Sequence, residues 1–459
     1  MIARVRSNST WIALLVASSL AGSACAPEDS DSAGEGEPSA DAGGDAAGAD
    51  DANPDDAVDP DGTDGGTTDT EGTDDDGTDG ATDTEGTDDA DPADVSPGTD
   101  TASDTGSTLR CDLPAVVDTE VVVDTGCAPL ASDGVRVAST GRLVLQPGVT
   151  VAFSTGALLQ VEGGGELVAQ GTAEDVITLQ GAVAEAGTWQ GIYARFSGTT
   201  GSTVRLSHTV VEHGGFEGAE ALGCLTSLSG VGARNTIAIT DTTFADCAFF
   251  GVLVLSPDSD FEVFDRVTIT RADTALSLHP DVIGSLPAQV AIDDNAVLQV
   301  RPGTVSRTQT WQPQRSPWRV AGSVAVGSTN SGPAPVLTLA PGVELLFVAG
   351  GDMLAGATPG GLVANDVRFA AQEGGDRWGG IRFLESTTEG NLDNVQVSGT
   401  GGPESFGLIG AGVLLRETGD RVSITNSEFS DNVVDIAVDC ASTPALSGNT
   451  ATVVTEPGC

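Results

Sequence analysis

The 459-residue chain has no lysine: all 19 of its basic residues are arginine, which excludes any motif built on a lysine ammonium. Aromatic residues are only 4% of the chain, and there are three histidines and two methionines, unlike an average globular domain. Basic residues are missing altogether from Pro27 to Leu109, a stretch that holds 28 of the 67 acidic residues. From Arg110 onward the other 39 acidic residues face 17 arginines, so that part is also strongly negative within a total of -48. A field of that sign repels phosphate backbones and anionic headgroups, and no nucleic-acid partner is expected. Helical periodicity sustained beyond a couple of turns is also lacking past Arg110.

The N-terminus reads as a targeting segment. Arg4 and Arg6 precede an apolar run from Trp11 to Leu20, too short to span a membrane, and the small residues Ala21 to Ala24 lead to Cys25. That arrangement resembles the lipobox of bacterial lipoproteins, which implies a signal peptide over 1–24 and a diacylglycerol on Cys25. Gly22 stands where that family prefers leucine, with Leu20 two residues further back. An ordinary cut after Ala24 would leave Cys25 first but unlipidated. By the same resemblance, Ala26 in place of aspartate after the cysteine implies the outer membrane, at the cell surface of a double-membraned bacterium.

Seven cysteines is an odd number, and setting Cys25 aside leaves six that can all pair. They fall as close neighbours, and the expected bridges are Cys111–Cys127, Cys224–Cys247 and Cys440–Cys459. Other connectivities stay open. In an oxidising compartment each short bridge would stabilise by about 3 kcal/mol.

Residues 25–109 use almost only Asp, Glu, Gly, Ala, Thr, Ser and Pro, with TDTEGTDD at both Thr68 and Thr82. Such a stretch cannot bury enough apolar surface to offset the entropy of ordering, so a disordered acidic tether is expected. None of its Asp-Gly runs carries the spaced ligand set of a calcium loop.

Beyond the tether the texture is short Val/Leu/Ile/Thr runs cut by Gly, Pro, Asn and Asp, which is strand-and-turn texture. It is also duplicated. Leu143 to Phe153 and Leu337 to Phe347 share L-x-L-x-P-G-V-x-x-x-F, and Leu167-Val-Ala matches Leu362-Val-Ala. Trp189-Gln-Gly-Ile then matches Trp378-Gly-Gly-Ile, and Ile239 to Asp246 matches Ile424 to Asp431, all in order and with little drift in offset. Strand-like pieces recur about every 20 to 30 residues with no helix between, the signature of a solenoid whose coils stack at about 4.8 Å. The expectation is an all-β, right-handed parallel β-helix of about 12 to 14 coils, the hand following from the rule for parallel crossovers. It would form two tandem related units, 110–285 with an N-terminal cap and 286–459 with a C-terminal cap.

The string PGV-x-x-x-F, L-V-A-x-G-T at Leu167 to Thr172, Trp189-x-Gly-Ile and ITDTTFADC resembles the pectate-lyase-like β-helix domains of bacterial surface lipoproteins. The resemblance covers about Val135 to Val454. It implies a fold that hosts lyases, hydrolases, adhesins and non-catalytic surface proteins alike. A polygalacturonase-like site would need paired aspartates, Gly-His-Gly and Arg-Ile-Lys, and the last cannot exist here. The adjacent Asp293 and Asp294 read as turn residues, since neighbours along a strand face opposite ways. His213-Gly214-Gly215 is only a partial echo.

Glu212, His213, Glu217 and Glu220, in the loop before Cys224, form the nearest cluster that could hold a cation, which would be calcium; otherwise no cofactor is expected. The three histidines are too scattered to nominate a metal site. Asp246 and Asp431 read as coil turns because an active site rarely needs building twice. Trp189 and Trp378 read as packing on a coil, with sugar stacking as the alternative, and Trp311 and Trp318 as packing between the units. The expected role is a monomeric, membrane-anchored, non-enzymatic surface protein touching polysaccharide or surface proteins. The alternative is a lyase or hydrolase acting on an acidic glycan.

Overall fold

A computed structural model describes residues 113–126, 130–216, 222–292, 296–328, 332–401 and 410–455. They belong to one compact unit within Gly98–Cys459. It is a parallel β-helix. One wall is a 13-stranded parallel sheet that takes the first strand of every coil. Its strands are, in coil order, Val116–Val117, Val135–Val137, Leu159–Val161, Ile192–Arg195, Gly223–Leu228, Phe250–Val254, Thr274–Leu278, Val297–Val300, Trp318–Val320, Glu344–Phe347, Arg368–Ala371, Gln396–Ser398 and Glu428–Ser430. The second and third strands of each coil build two further walls, each made of two separate sheets of six or seven strands.

Alternation decides which side chains point inward. In the second wall Val123, Leu145, Ala169, Leu206, Ile239 and Phe264 lie in register across six coils. In the third, Leu130, Val151, Leu179, Val211, Phe244, Ile269 and Ile292 do the same. Almost all of them are buried, and each Val, Leu, Ile or Phe so buried is worth about 1.5–3 kcal/mol. Their outward neighbours are mainly Thr, Val, Ala and Gln, and the period-two burial is clear in strands such as Arg142–Leu145, Thr203–Ser207 and Asn235–Thr240.

The second and third walls break at a 3-10 helix, Pro280–Ser285, which takes the place of the second-wall strand in coil 7. It packs between Ser259–Asp265 below and Gly303–Val305 above. His279 caps it by accepting from the Asp281 amide, and Pro280 at its start needs no amide partner. Side chains replace the missing backbone ladder here. Asp281 accepts from the Ser306 amide and hydroxyl, Gln309 from the Gly284 amide, and Gln314 from the Val290 amide. Only the first wall passes this seam unbroken, and Trp311 and Trp318 fill the core beside it, fully buried.

The two sequence copies do not sit on the same sides of the solenoid. Leu143 lies in a second-wall strand, Arg142–Leu145, whereas its counterpart Leu337 lies in a third-wall strand, Val336–Leu339. Phe153 is in the third wall and Phe347 in the first; Trp189 enters a first-wall strand and Trp378 a second-wall one. Every equivalent pair is displaced by seven coils and one wall.

The shared motifs nevertheless build the same contact twice. The Phe of P-G-V-x-x-x-F stacks on the Trp of W-x-G-I, with centroids 4.3 Å apart for Phe153–Trp189 and 4.1 Å for Phe347–Trp378. Each indole donates to a backbone carbonyl, Trp189 to Glu212 at 2.9 Å and Trp378 to Ser398 at 2.8 Å. The motif glycine is required because Gly191 and Gly380 both sit at φ +92, where a Cβ would meet the carbonyls of Gly223 and Ala411. The expectation of coil packing for these tryptophans therefore holds. With both indoles fully buried, stacking on a sugar is ruled out.

The Cys224–Cys247 disulfide is present, buried between coils 5 and 6. Cys440 is also disulfide-bonded, its partner lying outside the described residues. So do Cys25, Cys111, Cys127 and Cys459, together with the signal segment and the tether.

Candidate functional site

A polar surface dense in titratable groups is built by three stacked hexapeptides of the third wall. They are His208 to His213 (HTVVEH), Asp241 to Asp246 (DTTFAD) and Arg266 to Arg271 (RVTITR). Each encloses one strand, Thr209–Glu212, Thr243–Ala245 or Thr268–Thr270, with Val210, Thr243 and Thr268 in register on the outer side. The six bracketing residues all take left-handed backbone, φ 44 to 62. In that conformation their amides reach the coil above: His208 donates to Thr240, Asp241 to Asp265, His213 to Ala245 and Asp246 to Thr270. The strain of a non-glycine residue there is offset by that bond.

Two columns of identical order, His–Asp–Arg, result. In the first, Arg266 grips both oxygens of Asp241 at 2.6 and 2.7 Å, and the His208 Nε2 lies 3.7 Å from Asp241. In the second, Arg271 grips both oxygens of Asp246 at the same distances. Glu212, on the outer side of its strand, completes a group with His213 and Asp246 whose ligand atoms all lie within 4.8 Å of one another.

The electrostatics decide what this group can do. Hydrogen bonding to Arg271, joined by its charge and that of His213, holds the Asp246 carboxyl below the usual carboxylate range, and burial only partly opposes this. Arg266 does the same for Asp241. A carboxylate clamped in its charged form by a bidentate guanidinium is a poor general acid or base. For a cation the group fits in part. Glu212 and His213 keep ligand atoms to offer, while both Asp246 oxygens are engaged and Arg271 adds positive charge beside them. Of the expected cluster, Glu212 and His213 are thus brought together with Asp246. Glu217 and Glu220, like Asp293 and Asp294, lie outside the described residues.

Sequence reading missed both columns. The histidines looked scattered because the aspartate and arginine of their columns lie one and two coils away, 33 and 58 residues along the chain. The signal that could have found them is the repeated five-residue spacing between like residues in three successive coils. Asp246 and Asp431 are coil turns, both at φ 51, and Asp431 too is held by an arginine, Arg377, at 2.8 Å.

In the second copy the counterparts of His208 and Asp241 are Asn394 and Asn426, with Asp366 one coil earlier, and side-chain amide hydrogen bonds replace the ion pairs at these turns. Asn394 donates to Asp366 at 3.2 Å and Asn426 to Asp393 at 2.9 Å. A shallow cavity of about 320 Å³ beside them is lined by Glu344, Asp366, Arg368 and Asn394 among others, with Arg368 paired to Glu344. A buried ion pair, Arg382 with Asp352 at 3.3 Å, lies in the second wall of this copy.

Compared with known proteins, the chain matches no family model, no curated protein and no solved structure. What the fold and surface define is a parallel β-helix with charge-paired turns.

Proposed function

We propose that the protein is a lipid-anchored, cell-surface β-helix that works by contact and not by turnover, in adhesion or in binding extracellular matrix or glycan. The observation that carries this reading is the engagement of the turn carboxylates. Asp241 and Asp246 are each gripped through both oxygens by an arginine, which orders the exterior and leaves these two groups unsuited to proton transfer. The pectate-lyase-like resemblance, the Cys25 lipobox and the acidic tether complete the reading: an exported chain, anchored by acylation in the outer membrane of a bacterium and held outward as a monomer. Metabolic labelling with an alkyne fatty acid should mark the wild type and not Cys25→Ser. A polysaccharide panel should show retention on affinity gels without new reducing ends.

A second reading has one observation in its favour, the Glu212–His213–Asp246 group. A calcium ion there, with Glu217 and Glu220 as further ligands, would suit a lyase or hydrolase on an acidic glycan. Product released from any one polysaccharide in a calcium-dependent way would establish this reading over the first.

A further inference from the structure

Most arginines of this acidic molecule have found a carboxylate or a carbonyl. Three near the seam have not. Among the described residues, Arg301, Arg315 and Arg319 form no ion pair and no side-chain hydrogen bond, and the Arg319 Nε is buried without a partner. They lie close together in the fold. Arg319 sits in the coil 9 strand Trp318–Val320, in register with Gln299 of the coil below. Arg301 follows Gln299 by two residues, and Arg315 lies four residues before Arg319 in the turn leading to its strand. Burial alone pushes the Arg301 guanidinium below its ordinary value, with no carboxylate acting to hold it up. In a chain with 67 acidic residues, a largely buried cation without an acidic neighbour is an anomaly. An unpaired buried charge is a burden on the fold unless something else compensates it.

Arg319 lines a cavity of about 250 Å³ on the outer face of the unbroken wall. Beside Arg319 its lining is polar at Ser316 and Gln372 and apolar at Ala296, Val297, Pro317 and Leu346. Ligand pockets usually run from about 300 to 1,000 Å³, so this one suits a single small group or terminal unit.

We propose that this cavity binds a small monocarboxylate whose carboxylate pairs with Arg319 and whose apolar body lies against Val297, Pro317 and Leu346. The planar guanidinium matches a carboxylate in a fork, and Ser316 and Gln372 can donate to the same oxygens. One arginine in the lining balances one negative charge. A dianion such as phosphate would carry a second charge into the field of a strongly acidic molecule and is disfavoured. The site rests on the first wall alone and stands or falls independently of the anchor and of glycan contact.

The test uses the full chain and calorimetric titration with three probes: butyrate, its neutral counterpart butyramide, and inorganic phosphate. Butyrate should bind saturably, butyramide should not, and phosphate should fail to displace butyrate at equal concentration. Arg319→Gln should weaken butyrate at least about tenfold, the scale of one charge-assisted contact. Arg136→Gln, which breaks only a distant surface pair with Glu162, should leave it unchanged. Without ligand, Arg319→Gln should melt at or above the wild-type temperature, because it removes an unpaired, partly buried charge. Equal binding of butyramide, displacement by phosphate, or indifference to Arg319→Gln would each overturn the proposal. So would a clear loss of thermal stability in unliganded Arg319→Gln, which would make the residue structural.

Discussion

The two copies of the repeat share their motifs and differ in how they use the turns between strands. The first copy fills its columns with His, Asp and Arg, and joins coils 5 and 6 by the Cys224–Cys247 disulfide. The second uses amides in place of the first column, while Asp431 keeps an ion pair with Arg377. At the position of Cys247 it has Asn432, whose side chain accepts from the Thr400 amide and hydroxyl and donates to the Val397 carbonyl and to Asp435. The displacement by one wall adds a second lesson. The unit that must be conserved in a β-helix is a strand plus its turn, not a whole coil, because each wall offers the same inward register. A duplicated block can be set down any whole number of strands along and still find a core to join.

If the Phe–Trp stack is the shared keystone, Trp189→Ala and Trp378→Ala should have the largest effects and nearly equal ones. Each should cost about 3–5 kcal/mol by denaturant unfolding, as large-to-small changes of a buried tryptophan do. Markedly unequal costs would mean that the copies are not energetically equivalent. The bridging devices should differ more. Removing the disulfide in a Cys224→Ser, Cys247→Ser double variant should cost about 3 kcal/mol, and Asn432→Ala about 1–3 kcal/mol through the orphaned groups around it. Hydrogen exchange should report each loss mainly in its own copy.

Acid should affect the copies unequally as well. Burial, ahead of the charges of Arg301 and Arg307 and against those of Asp281 and Asp258, lowers the pKa of His279. A lowered imidazole pKa contributes stability that is present above the unfolded value, about 6.5, and is lost as pH falls below it. His279→Gln should therefore flatten the stability slope between about pH 7 and 5. Since the second copy has no histidine, its exchange protection should hold through that range; protection lost there first would overturn the assignment. The smallest effect belongs to the columns. Arg271→Gln should cost less than about 1 kcal/mol and be masked by added salt, whereas Asn426→Ala should be salt-independent.

The solenoid was legible because burial on one face forces alternation, and L-x-L-x-P-G-V or I-T-x-x-x-F shows that alternation in few residues. The coil turns at Asp246 and Asp431 and the Cys224–Cys247 bridge were legible too, the bridge because its loop is short. The rest depends on distances that sequence does not carry. Phe153 and Trp189 are separately visible motifs, and nothing in either says that one stacks on the other. The rotation between copies is invisible because a spacing of about 190 residues does not reveal how many walls it spans. His208 and His213 seemed unrelated to Asp241 and Asp246 until coils were set one above another. Arg319 could not be singled out at all, since what distinguishes it is a missing partner.

The seam at Pro280–Ser285 gives the solenoid an uneven load path. Tension applied between coil 1 and coil 13 is shared by three hydrogen-bonded ladders everywhere except there. At that level one backbone ladder and the side chains of Asp281, Gln309 and Gln314 must bear it. Under a load applied between the two ends, the seam would act as a mechanical fuse. Yielding there would let the chain lengthen while the coils on either side stay wound.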